Sequence, residues 1–336
     1  MSIPTTRLGR TGLTVSRLAL GTMTFGLQTD ETTSFHILDK ATEAGINFLD
    51  TADVYPLGGT VETIGRTEEI IGRWLQSKGA GARRRFVIAT KAVGKVGPNP
   101  WDEGASRKHL LDAIDNSLAR LQTDHVDLYQ LHSDDRATPL DESLEALDTI
   151  VRSGRARYVG VSNFLAYRLA RAIGVSELHK LTRIVCVQPR YSLLFREIER
   201  ELLPLAGEEG LGVIPYNPLA GGLLTGKYKP GAQPEDNTRF KLGTAGSMYQ
   251  DRYWNERSFS TVAQLHAVAE EAGVPLATLA VAWVMANPLV TAPLLGASRP
   301  EQLDATIAAA AYTLDPALKQ RLDELTAEYR KGDAPR

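Results

Sequence analysis

Eight short apolar runs recur along this chain, at 17–20, 46–49, 86–90, 126–131, 158–161, 184–187, 212–215 and 290–294, with helical patterns between them. Leu110, Leu111, Ile114, Leu118 and Leu121 keep the i, i+3/i+4 spacing of one helix face, as do Leu140, Leu144, Leu147 and Val151. Strands covered on both faces read as unbroken apolar runs, and parallel neighbours need a crossover long enough to hold a returning helix. Eight such repeats predict an α/β protein, a (β/α)8 TIM barrel. Residues 5–8 and 13–15, separated by Gly9 and Gly12, predict an N-terminal β-hairpin plug, and 316–329 predict a C-terminal helix.

The whole chain, 1–336, reads as a single domain, since no proline-rich or glycine-serine linker divides it. Barrels of this kind take about 250 residues and tolerate long insertions. One long loop is expected after strand 7, because 217–257 carries no strand or helix periodicity. Tyr228, Phe240, Tyr249, Tyr253 and Trp254 make it too aromatic for a disordered linker. It is expected to serve as a lid or as a contact between copies in a homo-oligomer.

Basic and acidic residues nearly cancel, 38 against 40, which removes the broad positive footprint of a nucleic-acid binder. The single cysteine, Cys186, lies inside the run IVCV and fits a small buried hydrophobe. Neither a signal-peptide core nor a membrane span is present, so a soluble cytoplasmic protein without a membrane partner is expected.

Polar residues stand where these runs end: Asp50 and Tyr55 in INFLDTADVY, Lys91 in RFVIATK, His132 in VDLYQLH. The C-terminal ends of barrel strands are where active sites of this architecture assemble. Singly, each residue has a structural reading as a loop cap, a rim aromatic, a solvated cation or a satisfied histidine. Together they suggest carbonyl chemistry. A nearby ammonium at Lys91 is expected to lower the Tyr55 pKa, Asp50 to hold the lysine, and His132 to donate a hydrogen bond to a carbonyl oxygen. Such a carbonyl needs an incoming hydride to become an alcohol. Ser162, Asn163 and Gln188 offer partners for a nicotinamide carboxamide, and Tyr216 offers a stacking face. GASRPEQ opens a helix after the eighth run, so its amides and Arg299 make a phosphate site. A Rossmann dehydrogenase is disfavoured, because no G-x-G-x-x-G follows the first run.

LGTMTFG, INFLDTADVY, ATK, LYQLH, RYVGVSNF, NPLAGGLLTGKY and GASRPEQL, in this order, resemble the aldo-keto reductase superfamily, in particular its longer bacterial members and the related potassium-channel β subunits. The resemblance covers 5–312. It implies reduction of aldehydes or ketones by NADPH lying extended across the C-terminal face, an alcohol:NADP+ oxidoreductase chemistry. The tetrad then falls on Asp50, Tyr55, Lys91 and His132, with Tyr55 as general acid. Nicotinamide contacts fall on Ser162, Asn163 and Gln188, with Tyr216 stacking, and the pyrophosphate cover falls on Asn217, Pro218, Leu219, Gly221 and Lys227. Adenosine-phosphate contacts fall on Ser298, Arg299 and Gln302, with Arg239 as a further cation; Gly21, Thr22, Met23, Asp50 and Gly296 complete the cofactor set. Two positions depart from the channel subunits' pattern, Ala305 and Thr306 standing where an acidic residue and an asparagine hold the adenine. The insertion 56–67 after Tyr55 is also longer than usual, with Glu62 and Glu68 as candidates for a supporting role.

Two rivals come from other classes. One is a regulatory or cofactor-sensing binding subunit on the same scaffold. The other is a metal-dependent hydrolase using His132, Asp134 and Asp135, disfavoured because Lys91 repels a cation and no second histidine lies at ligand spacing. The partner is expected to be a small carbonyl compound, held in a pocket with aromatic character from Phe25, Tyr55 and Trp101.

Overall fold

In the computed structural model, which describes residues 3–330, the barrel is preceded by an antiparallel hairpin of β1 (Thr5–Arg7) and β2 (Thr14–Ser16). The ends of the expected 1–336 domain, residues 1–2 and 331–336, lie outside the described residues. Leu8 and Val15 of the hairpin are fully buried and join Phe48, Leu128, Cys186 and Ile214 in a cluster that fills the barrel interior. The hairpin approaches the strand that follows Gly210 so closely that a Cβ on Gly9, at φ +56°, would come within 2.5 Å of the Gly210 carbonyl oxygen. Only glycine meets both demands.

Eight parallel strands follow: β3 (Ala19–Gly21), β4 (Phe48–Asp50), β5 (Val87–Ala92), β6 (Val126–Leu131), β7 (Ala156–Ser162), β8 (Ile184–Gln188), β9 (Gly212–Val213) and β10 (Leu294–Gly296). The ladder runs in sequence from β3 to β9, with β10 beside β3. Backbone bonds from Thr291 N–H to the Val213 carbonyl and from Leu294 N–H to the Pro215 carbonyl, both 2.8 Å, link the last strand region to the seventh. These bonds close the sheet between its two end strands. Helices outside it, such as Arg107–Leu121 and Leu140–Arg152, bury one face each, including Leu110, Ile114, Leu121, Leu144 and Leu147. No single helix among the described residues is long and apolar enough to cross a membrane.

The apolar runs and the hydrogen-bonded strands coincide in the middle of the chain and part at its ends. The runs at 17–20 and 290–294 precede β3 and β10 by two and four residues, because burial extends beyond the ladder into the connecting turns. Between 217 and 257 the expected irregular loop contains a helix, Gly246–Tyr253. It opens on Gly-Ser and carries little intrinsic propensity. Tertiary packing holds it in place: edge-to-face ring contacts link Tyr228, Phe240, Trp254 and Phe259 at centroid distances of 4.6–5.3 Å beneath it.

Candidate functional site

The centre of the site is a buried ion pair. Asp50 ends β4 and Lys91 lies in the adjacent β5, with neither side chain appreciably exposed. The Lys91 ammonium donates to Asp50 Oδ1 at 2.5 Å and to the Thr51 carbonyl at 2.7 Å. Asp50 Oδ2 accepts from Gln188 Nε2 at 2.8 Å and from Gln130 Nε2 at 3.2 Å. Buried charges persist only when paired and hydrogen-bonded, and both conditions are met.

Tyr55 and His132 stand over this pair. Their rings meet edge to face at 5.7 Å between centroids, and the Lys91 ammonium lies 5.1 Å from the Tyr55 ring centroid. The expected lowering of the Tyr55 pKa by Lys91 is not what the geometry gives. Burial pushes the phenol well above its ordinary value and the Asp50 carboxylate adds to this, while Arg239 opposes it. The lysine charge is committed to Asp50 and the Thr51 carbonyl, so it does not offset the desolvation. The phenol therefore stays protonated at neutral pH. His132 is pushed the other way, to about 3, by burial and by the Lys91 charge, which leaves a neutral imidazole.

Tyr55 and His132 open onto a cavity of about 1050 Å³ at the C-terminal ends of the strands. Every residue expected from the sequence to contact a cofactor faces this cavity: Gly21, Thr22, Met23, Asp50, Ser162, Asn163, Gln188, Tyr216, Asn217, Pro218, Leu219, Gly221, Lys227, Arg239, Gly296, Ser298, Arg299 and Gln302. Lys91 does not, and lies behind Asp50.

Polar side chains in the β6–β9 sector are arranged against one another. Ser162 Oγ donates to the Gln188 carbonyl at 2.9 Å, Asn163 Nδ2 to the His132 carbonyl at 2.9 Å, and the Tyr216 hydroxyl to Asn163 Oδ1 at 2.8 Å. Asn163 and Asn217 both take left-handed backbone conformations, φ +57° and +64°, which asparagine tolerates better than most residues. After Asn217 the chain passes through Ala220, Gly221 and Gly222 at φ +49°, +70° and +97°.

Around β10 and β3 the cavity turns cationic. Lys227 is held below its usual range by burial and by the neighbouring Arg299. Arg239 donates to Met23 Sδ at 2.9 Å and to the Tyr249 hydroxyl at 3.3 Å. Gln302 Oε1 accepts from Ser298 N–H at 2.8 Å, fixing the turn that leads into the helical segment Leu303–Ala308.

Several residues here escaped sequence reasoning. Gln130 is one, because a glutamine inside an apolar run carries no motif. Leu57, Met248, Tyr249 and Arg252 also line the cavity; the spacing of Tyr249 and Tyr253 was the available signal for the helix that carries three of them. The stretch 217–257 thus supplies a cavity wall. Phe25 belongs to the core, and Trp101 is half-exposed and outside the lining. From the insertion, Glu62 stays exposed, whereas Glu68 just beyond it is fully buried, accepting from Thr90 at 2.5 Å and Arg120 at 2.8 Å. Among the described residues no side chain donates to the buried Asp53 carboxylate. The carboxylates of the metal-hydrolase alternative are otherwise engaged: Asp134 by Arg168 at 2.8 Å, Asp135 by Thr138 at 2.6 Å and the Ala105 N–H at 2.8 Å. Among the described residues no group of three His, Cys, Asp or Glu side chains could hold a metal ion.

A sequence model of the Aldo/keto reductase family matches residues 17–327. The chain is 42% identical over 325 residues to the uncharacterized oxidoreductase YrpG of Bacillus subtilis (strain 168), covering 95% of each. It is 37% identical over 324 residues to Protein tas of Escherichia coli (strain K12), covering 90% of this chain and 91% of that one. A probable voltage-gated potassium channel subunit beta of Arabidopsis thaliana is 37% identical over 298 residues, 88% of each chain.

Proposed function

The chain belongs to the aldo/keto reductase family, and from that premise we propose that it reduces small aldehydes or ketones with NADPH, with Tyr55 as the general acid. Membership makes it an oxidoreductase of the carbonyl-reducing kind, and the family generally uses NAD(P)H. The observation that supports the finer reading is the edge-to-face placement of Tyr55 and His132, 5.7 Å between centroids, on the wall of one cavity, where burial favours the neutral form of each.

The residues present fit a dinucleotide. Backbone at positive φ through Gly221 and Gly222 leaves that wall without side chains, and a Cβ on Gly296 would project towards Arg239, 3.7 Å away. Lys227 and Arg299 put two positive charges where a ribose phosphate is expected to be read. When bound, a reduced nicotinamide supplies the hydride. Tyr55 gives its proton to the carbonyl oxygen, and His132 N–H orients and polarises that oxygen. Asp50 and Lys91 hold the floor of the site rigid. Gln188, its amide nitrogen given to Asp50, keeps its amide oxygen for a donor such as a carboxamide.

The test is a panel of carbonyl compounds, beginning with 4-nitrobenzaldehyde, with NADPH and NADH in turn, read by loss of absorbance from the reduced cofactor. Turnover that disappears in Tyr55→Phe is the expected result. A second reading, a cofactor-sensing regulatory subunit, is favoured by the Arabidopsis thaliana relative named as a channel subunit. It predicts tight NADPH binding with no turnover of any carbonyl in the panel. Either way, the protein is proposed to be cytoplasmic.

A further inference from the structure

Among the described residues four lysine or arginine side chains line the cavity, and three have an evident place in its β10–β3 sector. Lys227 and Arg299 stand within reach of each other's charge, and Arg239 bonds Met23 beside Gly296. The fourth, Arg252, lies elsewhere. It projects from the helix Gly246–Tyr253, partly exposed, with its guanidinium beside the Tyr216 hydroxyl. That hydroxyl bonds Asn163, and Asn163 bonds the His132 carbonyl, so a short chain of contacts connects Arg252 to the Tyr55–His132 pair.

Among the described residues no carboxylate forms an ion pair with Arg252, although Arg73, Arg168 and Arg183 each have one. A guanidinium carries five N–H donors in a planar fork that matches a carboxylate or a phosphate. One phenol oxygen leaves most of them unused. Leu57 and Met248 line the same cavity and offer apolar surface to the body of a substrate.

We propose that Arg252 binds an anionic group, a carboxylate or a phosphate, on the carbonyl substrate, so that anionic aldehydes or ketones are the preferred class. The proposal rests on the reductase reading and names the substrate of that same site. That apolar surface holds the substrate body, the fork fixes its charged end, and the carbonyl is presented to Tyr55. A cation at this position also attracts anions from solution through a low-dielectric cleft.

The test compares 4-carboxybenzaldehyde and 4-formylphenyl phosphate with the neutral methyl 4-formylbenzoate and benzaldehyde, with NADPH, in the full-length protein and in Arg252→Met and Arg252→Lys. The parent is expected to favour at least one anionic aldehyde over both neutral ones by tenfold or more in kcat/KM. Arg252→Met should cut that ratio at least tenfold, chiefly through KM, and Arg252→Lys should retain part of it. The two anionic arms separate carboxylate from phosphate. An equal preference in the parent, or equal losses for charged and neutral aldehydes in Arg252→Met, would overturn the proposal and make Arg252 a prop for Tyr216. Binding of benzoate and of phenyl phosphate, measured calorimetrically with NADP+ present, needs no turnover. If no carbonyl is reduced at all the reductase reading fails, and tenfold weaker anion binding by Arg252→Met would still support the anion site, whereas no binding or equal binding would reject it.

Discussion

The Lys91 ammonium faces the Tyr55 ring at 5.1 Å from its centroid while spending its hydrogen bonds on Asp50 and the Thr51 carbonyl. The lysine thus supports the floor of the site without converting the phenol to a phenolate. The acid form of Tyr55 persists above its ordinary pKa, and the His132 imidazole stays neutral above about 3.

Tyr55→Phe is therefore expected to lower carbonyl reduction by roughly 10²–10⁴-fold, the usual worth of a positioned acid. NADPH binding, followed by fluorescence, should stay close to that of the parent. Neither Tyr55 nor His132 should contribute an inflection to kcat/KM between about pH 5 and 9, given ordinary values near 10 and 6.5 and shifts away from neutrality. An inflection near neutral pH that vanishes in His132→Gln would contradict this.

Removing one member of the buried pair should cost more than removing both. Lys91→Met leaves the Asp50 charge buried without its cation and should destabilise the fold by about 3 to 5 kcal/mol. The double variant Asp50→Asn/Lys91→Met should be more stable than the sum of the singles, as measured by urea unfolding. Additive effects would mean that the two groups do not depend on each other.

Asp53 gives a prediction of opposite sign to the usual carboxylate. Burial, then the charge of Glu68, raise its pKa well above the ordinary carboxylate value, against the opposing pull of Arg120, the Val54 N–H and Lys91. The folded state keeps a proton that the unfolded chain loses above about pH 3.9. Asp53 thus removes stability as pH rises from there to its folded pKa, and contributes nothing below the unfolded value. Asp53→Asn should gain on the parent by about 1.4 kcal/mol per pH unit through that window. Parallel stability curves for the two proteins would place a charged Asp53 in the fold.

Arg299 should report cofactor choice. A 2′-phosphate can accept two parallel hydrogen bonds from a guanidinium, and Lys227 stands beside it. Arg299→Ala is expected to raise KM for NADPH about tenfold or more, equivalent to roughly 1.4 kcal/mol, with little change for NADH. Equal losses for both cofactors would make Arg299 structural.

The barrel was legible because its signal is local and repeated. A buried parallel strand must be apolar throughout, and a covering helix must be apolar on one face, so eight alternations identify the architecture without any knowledge of which strands touch. The same logic located Asp50, Tyr55, Lys91 and His132, since polar residues at strand ends stand out against apolar runs. Ring closure, the 246–253 helix and the cavity wall it forms were not legible. They depend on contacts between distant segments, such as Phe240 with Trp254 and Arg239 with Met23, for which no short-range pattern exists.

Which residue types reach the mouth is thus fixed by the sequence, and their electrical state is fixed by the fold. Read from sequence, Lys91 beside Tyr55 suggests a lowered phenol pKa, because a stretch of sequence shows the nearby charge and not the burial. The tertiary structure reversed the sign, because desolvation at a buried site outweighs a cation whose hydrogen bonds are already given to Asp50 and Thr51. Burial is a property of the whole packed barrel, and no window of the chain contains it.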